Sequence, residues 1–269
     1  MRARIASLGM YVDASQEAAN DSIWAAIGRV LRDHGVADVP ERLHRNRAVQ
    51  DVWRDPDLLF AQICGFPLVS NPGLGLRVIG VPIYDAPECA DGTHRSLIVT
   101  RRGDARRLED YRGRRAAIND RGSNTGMNLL RAAVLPHARE GRFFADVVET
   151  GAHRRNIDAI LRGEADIAAV DAITYAAALR AEPDLARTVQ IIATTVAAAT
   201  PPFVTARGTD AATAAALQAA LAEVIADPGL TEARRALFLT DIVTGDTDRY
   251  QPLLALQDDA IAAGYPILR

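Results

Sequence analysis

Cysteine is scarce in this sequence, and the scarcity excludes two kinds of stabilisation. The 269 residues contain only Cys64 and Cys89, which are too few for a disulfide scaffold and lack the spacing of a zinc site. The five histidines are scattered and form no His/Cys motif. We therefore expect neither a metal nor another cofactor. A single bridge between the two cysteines in an oxidising compartment and two buried thiols both remain open.

Long apolar runs and a strong net charge are also absent. No run approaches the roughly 20 apolar residues of a membrane-spanning helix, and residues 1–9 lack the apolar core of a secretory signal. The formal net charge is only -3, which gives no overall attraction to nucleic acid. The sequence predicts a soluble globular protein. Either it stays in the cytoplasm, or its export signal is not part of this sequence.

The chain does contain a regular alternation of strand-like and helix-like segments. Apolar residues make up 49% of it, enough for a sizeable core, and the length suits one large domain or two of ordinary size. The strand-like segments are 5–8, 58–63, 77–84, 95–100, 115–118, 145–149, 165–170, 189–193 and 203–206. The helix-like segments are 13–35, 124–135, 154–162, 173–180, 210–226, 231–238 and 250–263, and residues 64–67 read as a turn. This order predicts an α/β protein with parallel sheets covered by helices.

Residues 119–131, which we call the cradle segment, turn a short buried strand into a helix through small residues. The first amides of a helix have no partner within it, and the helix dipole leaves partial positive charge there. Ser123 and Thr125 can cap the helix or donate hydroxyls to a bound oxygen. Gly122 and Gly126 let an anion approach the backbone closely. The segment predicts an anion site, with an ordinary capped helix as the alternative.

Several polar side chains come directly after a predicted strand. They are Tyr11 after the first strand, Ser123 to Thr125 after Ile118, His153 after Glu149, and Asp171 after Val170. Ligands of open parallel sheets bind beyond the carboxyl ends of the strands, so these loops are expected to converge on one cleft. Each residue also has a plain structural role available: His153 flanks a helix, Asp171 caps one, and Tyr11 is an amphipathic edge residue.

Four pieces of the chain carry a family resemblance. They are Gln62-Ile63-Cys64-Gly65-Phe66-Pro67-Leu68, then Ser96-Leu97-Ile98-Val99, then the cradle segment with its Ser-x-Thr-Gly core, and finally Gly151-Ala152-His153 leading through residues 163–171. In order and spacing, over about residues 1–205, they resemble the phosphate/phosphite/phosphonate substrate-binding proteins of ABC transporters. One departure is His94, which stands two residues before Ser96 where the family pattern has a tyrosine.

The resemblance implies a two-lobed type II periplasmic-binding-protein fold with a ligand cleft between the lobes. One lobe takes residues 1–97 plus 194–269, and the other takes residues 98–193 with the anion site. The implied ligand is a small phosphorus oxyanion: phosphate, phosphite or a phosphonate. The implied partner is an ABC transporter permease, the implied compartment is the periplasm, and we expect a monomer that binds no nucleic acid.

The resemblance also assigns roles to individual residues. Ser123, Asn124 and Thr125 hold the anion together with the backbone amides of Thr125 and Gly126, and His153 and Asp171 add side-chain contacts. Tyr11 and Ser96 close on the ligand from the first lobe or the hinge. Because an ionised Asp171 repels a dianion, it is expected to accept from a protonated phosphoryl oxygen or a ligand amine. Titration of His153 and Asp171 is expected to change affinity between about pH 5 and 8.

Two other functional classes fit the same fold. One is a cytoplasmic enzyme acting on a small organic acid, similar to chorismate dehydratase. No nucleophile with an activating neighbour is evident in the sequence, so we expect no catalysis and assign no catalytic residue. The other is a stand-alone ligand sensor, which needs a separate chain to report binding because no DNA-binding or signalling domain is attached.

Overall fold

A computed structural model describes residues 4–11, 16–104 and 107–269 of the chain. The strands are β1 Ile5–Ser7, β2 Leu58–Gln62, β3 Leu76–Tyr84, β4 Cys89–Ala90, β5 Thr93–His94, β6 Ser96–Arg101, β7 Arg115–Ile118, β8 Asp146–Glu149, β9 Ile167–Asp171, β10 Val189–Thr194, β11 Ala198–Ala199, β12 Phe203–Ala206 and β13 Leu239–Val243. The chain divides into two compact units, each formed from three separate segments of sequence.

The α-helices are α1 Glu17–Asp33, α2 Val49–Trp53, α3 Gly65–Ser70, α4 Leu129–Val134, α5 His153–Arg162, α6 Ala172–Ala181, α7 Leu185–Thr188, α8 Ala211–Ala226, α9 Thr231–Ala236 and α10 Pro252–Ala262. A π-helix, Asn124–Asn128, directly precedes α4. None of the helices in the described ranges combines the length and the apolar character that crossing a membrane requires.

Unit 1 comprises Met1–Asp85, Ala90–Gly92 and Thr200–Arg249. Its sheet has the strand order β1-β2-β12-β3-β13, with β1 parallel to β2 and the other pairs antiparallel. Helix α1 packs against α8 and α9. The rings of Trp24, Phe60 and Phe203 stack in succession in the core. Three of the chain's few aromatic residues therefore form one stacked cluster in the core of this unit.

Unit 2 comprises Ala86–Cys89, Thr93–Ala199 and Tyr250–Arg269. Its main sheet has the order β10-β6-β9-β7-β8. Strand β7 runs parallel to β8 and β9, whereas β6 is antiparallel to both β9 and β10. One apolar cluster of this unit unites β6, β7, β9 and α5 through Val99, Ala117, Val170 and Ile157. A smaller sheet has the order β11-β5-β4.

The α/β class is confirmed, but the expectation of parallel sheets is wrong for both units. Strands joined by a helical crossover are parallel, as the sequence order suggested: β7, β8 and β9 obey this rule. The exceptions are strands that are not joined in this way. In unit 2 they are β6 and β10, which lie side by side although their first residues, Ser96 and Val189, are 93 positions apart. Gln190 of β10 pairs with Thr100 of β6.

The extent of the units differs from the division expected from sequence. Residues 250–269 were placed in the first lobe, but they belong to unit 2. There, Asn128 donates to the Leu253 carbonyl over 3.2 Å, and Arg131 donates to the Pro266 carbonyl over 2.8 Å. Unit 2 also extends to Ala199 rather than ending at 193, and it takes Ser96 with it.

Two local predictions need correction. Residues 64–67 are not a turn: Cys64 precedes α3, which begins at Gly65. Strand β13 was not predicted, because its sequence LTDIV follows α9 with only a short apolar pattern. The predicted helix start at Asp13 lies outside the described residues. Gly35 follows α1 with a φ of 75°, a left-handed conformation that glycine adopts readily, and so ends the helix as expected.

Candidate functional site

The cradle segment follows β7, an inner strand of the unit 2 sheet. The predicted helix over 124–135 exists, but its first turn is the π-helix Asn124–Asn128. The amide of Asn128 reaches back five residues to the Ser123 carbonyl at 2.9 Å. Single π-turns at the start of a helix are uncommon and occur frequently at functional sites. After α4 the last turn tightens into a 3-10 helix over Leu135–His137, which contains Pro136.

Short-range hydrogen bonds fix the turn before this helix. The amide of Gly122 donates to Asp120 Oδ1 over 2.7 Å, and the amide of Gly126 donates to Ser123 Oγ over 3.0 Å. Burial raises the pKa of Asp120, and the Gly122 amide partly opposes that shift. Ser123 is thus the helix cap that the sequence allowed for. Its hydroxyl hydrogen is still available to donate, since the bond from Gly126 uses an oxygen lone pair.

Gly126 is required by packing within the cradle segment. A Cβ at this position would lie 2.7 Å from Asn119 Oδ1 and 3.0 Å from Ser123 Oγ. Asn119 is itself held by Asn156, whose Nδ2 donates to the same oxygen over 2.8 Å. The reason for a glycine here is therefore the close approach of the Asn119 side chain, which sequence reasoning did not identify.

Thr125 connects the cradle segment to two other loops. Its carbonyl accepts a hydrogen bond from Ser96 Oγ over 2.9 Å, and its Oγ1 lies 2.8 Å from His153 Nε2. Ser96 is fully buried and Thr125 is 4% exposed. A buried hydroxyl with a fixed partner points in one direction, so Thr125 presents its polar group in a defined geometry.

His153 is the first residue of α5 and keeps a partly exposed surface. Its Nδ1 faces the amide of Asp171 at 3.4 Å, and the ring also interacts with the Ala169 carbonyl. Burial lowers the pKa of His153 to about 4, against the opposing effects of Asp171 and Ala169. A pKa of about 4 favours the neutral imidazole between pH 5 and 8, so it gives no support to titration of His153 in that range; the expected pH dependence of affinity stays a prediction.

Asp171 ends β9 and caps α6. Its Oδ1 accepts from the amides of Ile173 and Thr174 over 2.9 and 3.1 Å. Its Oδ2 lies 2.9 Å from His94 Nδ1, and the two side chains are only 3% and 1% exposed. Burial raises the pKa of Asp171, but the charge of His94 and the hydrogen bond to it outweigh burial and hold that pKa below its usual range.

The structure brings seven of the eight predicted ligand-binding residues together in unit 2: Ser96, Ser123, Asn124, Thr125, Gly126, His153 and Asp171. They gather because β7, β8 and β9 are parallel and end at the same edge of the sheet. Ser96 begins β6, which is antiparallel, and pairs with Asp171.

Two residues differ from that prediction: Tyr11 was predicted but lies outside this group, and His94 lies within it but was not predicted. Tyr11 belongs to unit 1, where its ring meets that of Tyr84 edge-on with 5.8 Å between centroids. His94, by contrast, joins the unit 2 cluster but was not predicted as a site residue. The signal that could have found it was its position in the motif, two residues before Ser96. Within the described ranges, no group of three His, Cys, Asp or Glu side chains is arranged to hold a metal ion.

Solved structures with this fold cover nearly the whole chain. PhnD1 from Prochlorococcus marinus in complex with methylphosphonate is 12% identical with a TM-score of 0.75, covering 97% of this chain and 99% of that one. A binding protein component of an ABC phosphonate transporter from Pseudomonas aeruginosa is 13% identical with a TM-score of 0.75, covering 97% and 88%. A Xanthomonas citri protein bound to ATP is 14% identical with a TM-score of 0.70, covering 97% and 98%. Among curated proteins, none matches.

These likenesses define the class: the chain has the type II periplasmic-binding-protein fold expected from the sequence. The family model described as "ABC transporter, phosphonate, periplasmic substrate-binding protein" matches residues 69–250, and the chain belongs to that family. The resemblance drawn from the four motifs is confirmed. The family consists of binding proteins that serve ABC transporters, and the chorismate dehydratase-like alternative is not favoured.

Proposed function

We propose that this chain binds a small phosphorus oxyanion, namely a phosphonate, phosphite or phosphate, at the carboxyl edge of the unit 2 sheet. The observation that carries the proposal is the connected polar group formed by Ser96, Thr125, His153 and Asp171 beside the Ser123 cap. Hydroxyls and helix N-terminal amides in a fixed arrangement are suited to phosphoryl oxygens. The complex of the Prochlorococcus relative with methylphosphonate supports the ligand class.

The pairing of Thr125 with His153 raises an enzymatic alternative, since a hydroxyl beside an imidazole is the usual pattern of an activated nucleophile. The pKa of His153, lowered to about 4, argues against this role. A general base works best when its pKa lies near the operating pH, and a group with a pKa of about 4 accepts protons poorly at neutral pH. We therefore propose that Thr125 and His153 bind the ligand and catalyse no reaction.

Membership of the family supports two further parts of the proposal. The chain acts in the periplasm and delivers its ligand to an ABC transporter permease. We also expect it to be monomeric. Cell fractionation of the native producing strain tests the compartment, and light scattering of the purified protein tests the oligomeric state.

The binding proposal is tested by calorimetry with methylphosphonate, phosphite and phosphate on the wild type, Ser123→Ala and Thr125→Val. Thr125→Val keeps the shape of the side chain but removes the hydroxyl. Since a hydrogen bond to a charged group contributes about 1.5–3 kcal/mol, we expect it to weaken binding by about tenfold or more. Thr188→Val is the matched control, because Thr188 also lies in unit 2 but its hydroxyl bonds to Leu185 within a surface helix.

Two results would overturn the proposal. One is the absence of binding by any of the three phosphorus oxyanions to the wild type at millimolar concentration. The other is equal affinity in the wild type and Thr125→Val. Chorismate and small carboxylates serve as competitors: saturation at about 100 times the dissociation constant adds roughly 2.7 kcal/mol of stability, which a thermal-shift assay detects. Stabilisation by one of these acids alone, followed by its turnover, would establish the enzymatic alternative.

A further inference from the structure

The pair formed by His94 and Asp171 is the most deeply buried charge interaction at this edge of the sheet. His94 lies on β5, next to the start of β6, and its Nδ1 is 2.9 Å from Asp171 Oδ2. The two side chains keep only 1% and 3% of their surface exposed. An isolated carboxylate at such a depth is unfavourable, and a partner of opposite charge or a strong donor is needed to keep it ionised.

The partners of Asp171 are arranged on both of its oxygens. Oδ1 accepts from two amides at the start of α6, and Oδ2 faces His94. His153 packs on the other side, where its Nδ1 faces the Asp171 amide. The imidazole of His94 thus offsets the charge of the carboxylate, and protein groups contact both of its oxygens. A ligand ammonium group, which binds best to an exposed or unpaired carboxylate, finds Asp171 already paired.

The pairing of His94 with Asp171 also affects the binding of an anion at the carboxyl edge of the unit 2 sheet. A carboxylate beside a phosphoryl dianion is a like-charge contact that disfavours binding. The imidazole of His94 lies 2.9 Å from Asp171 Oδ2 and offsets the charge of that carboxylate, so this repulsion is reduced. Thr125 is coupled to Asp171 through the ring of His153, which places this charge balance one residue away from the hydroxyl that we assign to the ligand.

We propose that His94 is a specificity-determining residue, which by pairing with Asp171 makes the site favour phosphorus oxyanions without an amino group over aminoalkyl phosphonates. The inference rests on the proposed function, since it names the subclass of ligand within it. His94 acts through Asp171 and is a positioning residue: it sets the charge and the availability of that carboxylate.

The test compares methylphosphonate with 2-aminoethylphosphonate by calorimetry at one pH near 7.5. The variants are His94→Gln, which removes the imidazole that faces Asp171, and the double variant His94→Gln with Asp171→Asn. Asparagine is as good a helix cap as aspartate, so the double variant keeps the start of α6 while removing the negative charge. His137→Gln is the matched control, since His137 lies in unit 2 but in the 3-10 turn after α4.

We expect the wild type to bind methylphosphonate at least about tenfold more tightly than 2-aminoethylphosphonate. His94→Gln is expected to weaken the binding of methylphosphonate by about tenfold, because the charge of Asp171 is then no longer offset. It is also expected to narrow or reverse the preference for methylphosphonate over 2-aminoethylphosphonate. The double variant is expected to recover methylphosphonate affinity. Recovery on adding a second substitution separates a charge effect from simple damage to the fold.

The outcomes separate this inference from the proposed function. If the wild type binds none of the phosphorus oxyanions, the proposed function fails and the inference with it. A wild type that binds them but prefers 2-aminoethylphosphonate overturns the inference alone, whether or not the variants fold. An unchanged preference in a folded His94→Gln variant, or a double variant as weak as the single one, also overturns it.

Discussion

His153 shows how strongly local surroundings decide the behaviour of a single residue. Histidine is ordinarily the side chain that titrates near neutral pH. Here the ring has Thr125 on one nitrogen and Asp171 on the other, and burial lowers its pKa to about 4. The neutral ring serves as a fixed hydrogen-bonding link. Sequence reasoning identified the residue but not its charge, because the burial of a helix-start side chain depends on loops that are distant in the chain.

The lowered pKa of His153 has a consequence for stability. Above about pH 6.5 the ring is neutral in both the folded and the unfolded state and contributes nothing. As pH falls from 6.5 toward 4, the unfolded chain binds a proton that the folded protein does not, so stability is lost. Allowing for partial exposure of the residue, we expect His153 to account for a loss of about 1–2 kcal/mol between pH 7.5 and 5.

Urea unfolding at the two pH values measures this loss. His153→Gln is expected to unfold with a smaller difference in stability between pH 7.5 and 5 than the wild type. His34→Gln, at an exposed position, is the matched control. Asp171 does not interfere: its folded pKa is depressed, so its contribution is present above about pH 4 and is lost only below that. An identical pH dependence in the wild type and His153→Gln would contradict the assignment.

Among the elements, the π-helix and its partner residues form the most tightly specified part of the site. Asn119, Asn156 and Thr150 are hydrogen-bonded in series, and Asn119 occupies the space beside Gly126. The Ser-x-Thr-Gly core therefore combines a cap, a hydroxyl and a close contact within four residues. Each position has its own physical requirement, and only the cap and the hydroxyl are recognisable from residue type.

Gly126→Ala tests the close contact. The new Cβ meets Asn119 Oδ1 at 2.7 Å, so either the asparagine or the π-turn must shift. We expect a destabilisation of about 1–3 kcal/mol, as is typical of overpacking, together with weaker anion binding. Denaturant unfolding and calorimetry measure the two effects. Gly208→Ala is the control, because a Cβ there meets no atom within 4 Å and no unusual φ is required; equal behaviour of the two variants would count against the contact.

The elements also show how far the sequence alone could lead. Short apolar runs predicted β2, β3, β6 and β7 within one or two residues, because such runs are typical of strands that are buried on both faces. Helix ends were predicted where a glycine or a cap marked them. The π-turn is local, but nothing in the residue types of 123–128 distinguishes it from an ordinary helix start. The short strand β13 and the pairing of β6 with β10 were not predictable, since each depends on contacts between residues far apart in sequence. His94 was missed for the same reason: its partner is 77 residues away.

At the scale of the whole molecule, the segment Tyr250–Arg269, which we call the closing segment, is part of unit 2. Arg131 of α4 is 2% exposed, and its guanidinium donates to the Pro266 carbonyl and to Asn128 Oδ1 over 2.8 and 2.7 Å. Within the described residues, no carboxylate pairs with it at salt-bridge distance. Burial lowers the pKa of Arg131, yet an arginine stays charged in proteins. This buried cation is therefore held by one backbone carbonyl of residues 250–269 and by the side chain of Asn128.

Arg131→Met is expected to lower the free energy of unfolding by about 1–3 kcal/mol, because two buried acceptors lose their donor while a buried charge is removed. Hydrogen exchange is the more specific measurement: amides of 250–269 are expected to lose protection before those of the unit 2 sheet. Arg139→Met, at an exposed position, serves as control and is expected to change stability by less than about 0.5 kcal/mol. Uniform loss of protection across unit 2 would show that Arg131 does not act on the closing segment in particular.

The contacts of the closing segment also determine when unit 2 can finish folding during protein synthesis. Strand β6 leaves the ribosome early, but its neighbours β9 and β10 begin 71 and 93 residues after it, and the carbonyl of Arg269, which accepts from the Phe143 amide, is made later still. At about 5–20 residues per second, the interval from β6 to Arg269 lasts roughly ten to thirty seconds. Unit 2 thus completes its folding only after residue 269 has been synthesised, which favours a nascent chain that stays open and available to chaperones until then.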